Sequence, residues 1–137
     1  MTETLAAAYG ADLAVTHILV VSELNQSRAF WVDVLGAEIY REYGGTSLVL
    51  RFGGSWLLLV TGGPPTVDKP DTTFAAPPDP TRVSHALTLR VADCLGVYEI
   101  LRARGAVFLA PPHDWGGEIR CFTRDPDGHL IEFSQAG

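Results

Sequence analysis

Three side chains that bind metals well stand at matched places in the sequence. His17 and His85 each begin an apolar, β-branched segment, and Glu132 lies within a third segment near the C-terminus. Side chains alternate between the two faces of a strand, so each of the three shares one face of its strand with aliphatic neighbours. A carboxylate among leucines is costly unless it is paired or binds a cation. Two imidazoles and one carboxylate on one face form the ligand set that non-haem Fe(II) favours, so these three residues predict a metal site.

Aromatic and basic side chains near these positions are candidates for a substrate pocket. Trp56 and Leu58 are predicted to line a cavity or to lie in the core, and Trp115 either stacks on a flat substrate or closes the cavity mouth. Phe122 alternates with Arg120 and Arg124 on one predicted strand. One of these two arginines is a candidate to orient an anionic substrate, with solvent exposure as the alternative.

The elements that must position these residues form two similar halves. The first half predicts a strand over residues 15–21, a helix capped by Asn25 or Ser27 that runs through Leu35, and strands over 38–43, 46–52 and 55–60. The second half predicts a strand over 83–91, a helix capped by Asp93 that ends at Arg104, and strands over 106–110, 118–124 and 129–134. Both halves therefore have the order β-α-β-β-β, which is the signature of an internal repeat.

A proline-rich segment separates the two halves. Six of the nine prolines fall within residues 61–82, together with several glycines and aspartates, which excludes a helix or a central strand there. The predicted organisation is an N-terminal arm (1–14) followed by one domain (15–137). That domain contains module one (15–60), the connection (61–82) and module two (83–137).

Composition limits the partners and the compartment. The 137 residues carry a formal charge of −6, with 47% hydrophobic residues, which fits one folded acidic domain. An acidic surface repels phosphate backbones, so a nucleic acid is not expected as a partner. The apolar segments are too short to cross a bilayer, and no secretory leader is visible, so we expect no membrane association and a cytoplasmic location.

These residues resemble the vicinal oxygen chelate superfamily, which includes glyoxalases, bleomycin resistance proteins and extradiol dioxygenases. The resemblance covers residues 15–134 and is carried by Thr16-His17-Ile18, Phe30-Trp31 with Leu35-Gly36, Ser84-His85, and the run from Asp125 through Pro126, Gly128 and His129 to Glu132. It implies an α+β fold in which two βαβββ modules form a half-open curved sheet around a metal. His17, His85 and Glu132 fall on three of the family's four ligand positions.

The fourth ligand position distinguishes branches of that family. Aligning Gly54 with Gly128 places Leu58 there, and leucine cannot supply the oxygen ligand of a lactoylglutathione lyase. The dioxygenase and fosfomycin-resistance branches use three ligands. The chain has a single lysine, Lys69, and few of the cationic side chains that a phosphonate needs, which favours the dioxygenase branch.

The resemblance thus implies an Fe(II) dioxygenase that cleaves a small aromatic diol. In that branch a histidine on the loop before the last two strands assists catalysis, and His113 has a similar place. His113 would move a proton near neutral pH, beside a metal held in part by Glu132. The assisting tyrosine of the family is replaced here by Phe122.

Two alternatives stay open at this point. One is a lyase, isomerase or thiol transferase that uses Mn, Ni or Zn as a Lewis acid. The other is a metal-free protein that binds an apolar drug. In each case the expected ligand is a small, fairly apolar molecule, and the family's habit of pairing two chains implies a homodimer.

Overall fold

The computed structural model describes residues 4–137 and shows the predicted repeat. Module one contains β1 (Thr16–Val21), α2 (Leu24–Arg28), a π-helical turn (Ala29–Val34), β2 (Glu38–Tyr43), β3 (Ser47–Phe52) and β4 (Ser55–Thr61). Module two contains β5 (Ala86–Arg90), α3 (Cys94–Ala103), β6 (His113–Asp114), β7 (Glu118–Arg124) and β8 (Leu130–Ala136). A short helix, α1 (Leu5–Tyr9), lies in the predicted arm, whose first three residues fall outside the described part.

Each module forms its own four-stranded mixed sheet with the same strand order. The first sheet runs β1-β4-β3-β2 and the second runs β5-β8-β7-β6, and in both the first strand of the module pairs in parallel with the last strand. The α+β fold with two βαβββ modules is therefore confirmed. Among residues 4–137, none of the helices has the length and hydropathy that crossing a membrane requires.

Three predicted elements differ from the structure. Neither Asn25 nor Ser27 caps the first helix; the cap is Glu23, whose carboxylate accepts a hydrogen bond from the Gln26 amide at 2.7 Å. The helix predicted to continue through Leu35 instead changes to π-helical hydrogen bonding after Arg28. Ser27 lies inside the helix and is completely buried, so it is not at the helix start.

The strand predicted over 106–110 does not form. Phe108 makes one isolated bridge to Thr123, and the Leu109 amide donates to the Phe122 carbonyl, but the ladder is then interrupted. Pro111 and Pro112 follow directly and carry no amide hydrogen to donate, so pairing with β7 resumes only at β6.

The core lies between each sheet and its helix. Leu19, Val21, Leu57 and Leu59 are buried on the helix side of the first sheet, where Trp31 packs against Phe52. On the second sheet the side chains buried on the helix side alternate in the same way along β7 and β8; they are Cys121, Thr123, Ile131 and Phe133. Within residues 4–137, α2 and α3 both pack on these buried faces, and we call the opposite face of each sheet its helix-free face.

Asp125, at the turn between β7 and β8, joins the two modules. Its carboxylate is buried and accepts hydrogen bonds from the backbone amides of Asp127 and His129 at 3.0 and 2.8 Å. It also accepts from the Trp31 indole of module one at 3.3 Å, and the His129 ring lies 2.8 Å away. A second link, from the Ser22 amide to the carboxylate of the partly buried Asp127, lies nearby at 3.0 Å.

Below the second sheet, two thiols meet in the core. Cys94 at the start of α3 and Cys121 on β7 are both buried, with their Sγ atoms 3.5 Å apart. Burial, aided by the hydrogen bond with Cys94, raises the pKa of Cys121 from 9.0 to about 12. The thiol therefore stays protonated throughout the physiological range.

Replacing Asp125 by alanine is expected to lower the free energy of unfolding by about 3 kcal/mol, because several buried donors lose their acceptor at once. Asp127→Ala is the matched control and should lower it by less than about 1 kcal/mol, since Asp127 is only partly buried and accepts one bond from the other module. Urea unfolding followed by circular dichroism measures both. Equal losses in the two variants would contradict the role given to Asp125.

The raised pKa of Cys121 predicts a loss of stability at alkaline pH. A folded-state pKa above the unfolded value contributes stability that is present below pH 9 and is lost as pH rises towards 12. At pH 10 the native chain should therefore lose about 1 kcal/mol relative to Cys121→Ala, compared with their difference at pH 7.5. Urea unfolding at both pH values tests this, and a difference between the chains that does not vary with pH would refute it.

Candidate ligand-binding face

The helix-free face of the second sheet carries most of the predicted site residues. Register fixes which side chains share it: Thr88 and Phe122 both pair with Glu132, and Arg120 pairs with His113. The neighbouring positions on these strands point the other way, as the contact of Cys121 with α3 shows. We call this surface the open face; its members are Ala86, Thr88, Arg90, His113, Arg120, Phe122, Arg124, Leu130, Glu132 and Ser134.

Glu132 lies near the centre of the open face and is held by two neighbours. The Thr88 hydroxyl donates a hydrogen bond of 2.8 Å to one carboxylate oxygen. The Arg120 Nε lies 3.9 Å from the other oxygen, which is close enough for charge attraction but too long for a hydrogen bond. The carboxylate is 14% exposed, so one of its oxygens keeps acceptor capacity toward a ligand.

Arg120 connects Glu132 to the aromatic part of the face. Its guanidinium stands 5.2 Å from the centroid of the Trp115 ring and 6.0 Å from that of Phe122, within the range of cation–π attraction. A second carboxylate, Glu118, lies 3.4 Å from the guanidinium on the other side and also accepts from the Ser134 hydroxyl. Arg120 thus lies between two carboxylates and over the Trp115 ring.

The aromatic part ends in an exposed ring. Trp115 is 63% exposed although it is a large apolar side chain. The His113 ring packs against it with a centroid distance of 4.4 Å in an edge-on geometry. His113, Trp115, Phe122 and Glu132, predicted from the sequence, are therefore brought together around Arg120.

Two partners of this group were missed by the sequence reasoning. Thr88 and Glu118 both hold charged groups of the open face, yet neither is unusual in type or position. Knowledge of the parallel register between the first and last strands of module two would have identified Thr88, because that register places it directly beside Glu132 on the neighbouring strand. The sequence leaves two interpretations of Arg120, substrate orientation and solvent exposure. Its cation–π contact with Trp115 favours a role at the open face.

The predicted pocket residues Trp56 and Leu58 lie on the other sheet. Both are on the helix-free face of the first sheet, where Leu58 pairs with Ile18 and Val49. Trp56 meets the Tyr40 ring edge-on at 4.9 Å, and the Arg51 guanidinium stands 4.9 Å from its centroid. Trp56 therefore belongs to a separate aromatic cluster of module one.

The predicted metal ligands do not come together as one group. His17 and His85 stack at a centroid distance of 5.2 Å, where the two modules meet. His17 pairs with the buried Leu57, so it lies on the helix side of its sheet, and alternation from Thr88 places His85 on the helix side of the second sheet. Glu132 is on the opposite, open side.

At the starts of β1 and β5, the positions that face the same way as Glu132 are Thr16 and Ala86, and neither residue binds metals well. Each lies one residue away from a histidine. Within residues 4–137, no cluster of three or more His, Cys, Asp or Glu side chains is placed to hold a metal ion. The residues present therefore do not fit a His-His-Glu centre.

Comparisons with known proteins place the fold. The sequence model of the glyoxalase/bleomycin resistance protein/dioxygenase superfamily matches residues 14–133. The curated proteins contain no match to the chain.

Three solved structures illustrate the likeness in fold. A lactoylglutathione lyase from Agrobacterium tumefaciens superposes with a TM-score of 0.70 at 18% identity, covering 92% of this chain and 95% of its own. A glyoxalase/bleomycin resistance protein/dioxygenase from Nocardioides gives 0.69 at 21% identity, covering 89% and 82%. TnmS3, an antibiotic binding protein from Streptomyces sp. CB03234, gives 0.66 at 22% identity, covering 90% and 95%.

Members of this superfamily bind small molecules and commonly use divalent metals. The family match spans most of the chain, and the paired βαβββ modules have the family's architecture. The chain belongs to the glyoxalase/bleomycin resistance protein/dioxygenase superfamily.

Proposed function

We propose that the chain binds a small planar aromatic molecule on the open face of its second sheet, without a resident metal. The observation that carries this proposal is the arrangement of Trp115, Arg120 and Phe122 beside Glu132. It offers a stacking surface next to a carboxylate, which together select a flat ligand with a hydrogen-bond donor. An antibiotic binding protein of the same fold supports binding as a function of this architecture.

The stacking surface sets the shape of the ligand. An exposed indole is expensive to leave in water, and a planar ring laid against it gains both burial and aromatic contact. Arg120 is already ordered by Glu118 and Glu132, so the ligand does not have to fix that side chain when it binds. Pre-ordering of this kind improves affinity for a flat molecule over a flexible one.

The carboxylate sets the polarity of the ligand. Thr88 occupies one oxygen of Glu132, while the second lies beyond hydrogen-bond distance from Arg120. A ligand hydroxyl or amine that donates to this oxygen satisfies a half-buried acceptor. Phenols and aromatic amines therefore fit better than aromatic hydrocarbons, and His113 forms the edge of the surface beside Trp115.

The Fe(II) dioxygenase and the Mn, Ni or Zn enzyme both depend on His17, His85 and Glu132 acting as one ligand set. The sheet register separates Glu132 from the two imidazoles, which is why we favour the metal-free binding protein among the alternatives. The homodimer expected from the family stays a prediction; exposed apolar side chains on the helix-free faces, such as Ile18 and Tyr40, support it.

Binding of 2-naphthol tests the proposed surface. We expect Trp115→Ala to weaken binding about tenfold, because stacking area is lost, whereas Trp115→Phe retains most of the affinity. Trp56→Phe, on the first sheet, is the control and should bind like the native chain. Isothermal titration calorimetry in the presence of EDTA measures all four proteins.

The carboxylate is tested by a pair of probes. Glu132→Gln should weaken 2-naphthol about tenfold and leave 2-methoxynaphthalene unchanged, because the ether has no proton to donate. The proposal fails if Trp115→Ala and Glu132→Gln both bind 2-naphthol like the native chain.

Metal content tests the absence of a resident ion. Protein purified without chelator should contain Fe, Mn, Ni and Zn far below one equivalent, and His85→Ala should change neither the metal content nor the affinity for 2-naphthol. Mass spectrometry with inductively coupled plasma measures the metals. One equivalent of any of them, lost in His85→Ala, would contradict the proposal and restore the metal-dependent enzymes.

A further inference from the structure

A cavity lies where the two modules meet, at the β5 edge of the open face. Its volume is about 620 Å³, within the range of small-molecule sites. All six residues from 86 to 91 line it. They come from both faces of β5, so the cavity runs along the free edge of that strand. We call it the seam cavity; module one contributes Leu35, Leu57 and His17 to it, and module two contributes Leu87, Leu101 and Phe133.

The seam cavity exists because the modules do not share a sheet. β1 and β5 are edge strands of two separate sheets, and no ladder joins them. The β5 edge therefore faces a space that side chains of α3 and of module one surround. The cavity shares Ala86, Thr88 and Arg90 with the open face, but Glu132, Arg120 and Trp115 of the proposed ligand surface are not among its lining residues.

The charge of the lining has one sign. Among the residues that line the seam cavity, Arg90 and His17 are the ones with basic side chains, and none is acidic. This contrasts with the chain as a whole, whose formal charge is −6. Within residues 4–137 no salt bridge involves Arg90, so its guanidinium has no carboxylate partner.

We propose that the seam cavity binds an apolar molecule that carries one anionic group, such as a medium-chain carboxylate. Leucine and phenylalanine side chains of both modules bury the apolar body. The Arg90 guanidinium donates hydrogen bonds to the anionic head group, and the His17 ring offers a further donor at the same cavity. A ligand seated here touches both modules and therefore holds them together.

Octanoate and 1-octanol are the probes, because they share the apolar body and differ in charge. We expect octanoate to bind the native chain with one equivalent and more tightly than 1-octanol. Arg90→Gln should weaken octanoate about tenfold, the value of one charge-assisted hydrogen bond, and leave 1-octanol unchanged. Arg102→Gln is the matched control, since that arginine lies on α3 but outside the lining.

The location is read from the amide spectrum of ¹⁵N-labelled protein. Octanoate should shift the amide signals of β5 and α3 and leave those of residues 115–122 unchanged. The same result is expected for Trp115→Phe. A ligand on the open face, by contrast, shifts the amides of residues 115–122. The proposal is overturned if octanoate does not bind, if Arg90→Gln and Arg102→Gln bind it equally, or if the shifts fall on residues 115–122.

Discussion

The parallel register between β5 and β8 is the constraint on which the site depends. It pairs Thr88 with Glu132, and β7 completes the row with Phe122. Because neighbouring residues of a strand face opposite sides, this one pairing decides that Glu132 shares its face with a hydroxyl and an aromatic ring rather than with His85. A histidine at position 86 would share the open face with Glu132, whereas His85 lies on the helix side.

The same constraint explains why the open face is organised around Arg120. With no metal ligand beside it, the half-buried Glu132 needs another source of positive potential, and Arg120 provides it from the next strand. Trp115 and Glu118 then hold the guanidinium in place from two further directions. The face is ordered before any ligand arrives, which suits recognition of a rigid planar molecule. The helix-side surfaces, by contrast, are committed to the core and to the contact between modules.

Sequence reasoning reached the modules, most strands and the members of the open face, because these follow from local patterns. Alternation correctly predicted which residues of β8 share a face with Glu132, and the turn before β8 predicted the start of that strand to within one residue. What it could not reach was the relation between strands, since register is set by tertiary packing and not by alternation within one segment. His17 and His85 were each assigned correctly to the side of their aliphatic neighbours, but that side is not the one that Glu132 occupies. The missing strand at 106–110 and the Glu23 cap have local causes instead: Pro111 and Pro112 cannot donate amide hydrogen bonds, and the Glu23 carboxylate accepts from the nearby Gln26 amide.

The face assignment of Glu132 is the central claim, and it can be measured by nuclear Overhauser contacts in isotope-labelled protein. The structure predicts contacts from the Glu132 side-chain protons to the Thr88 methyl group and to the Phe122 ring, with none to the His85 ring. Contacts between Glu132 and the rings of His85 and His17 would contradict it, because they would show the three side chains gathered on one face.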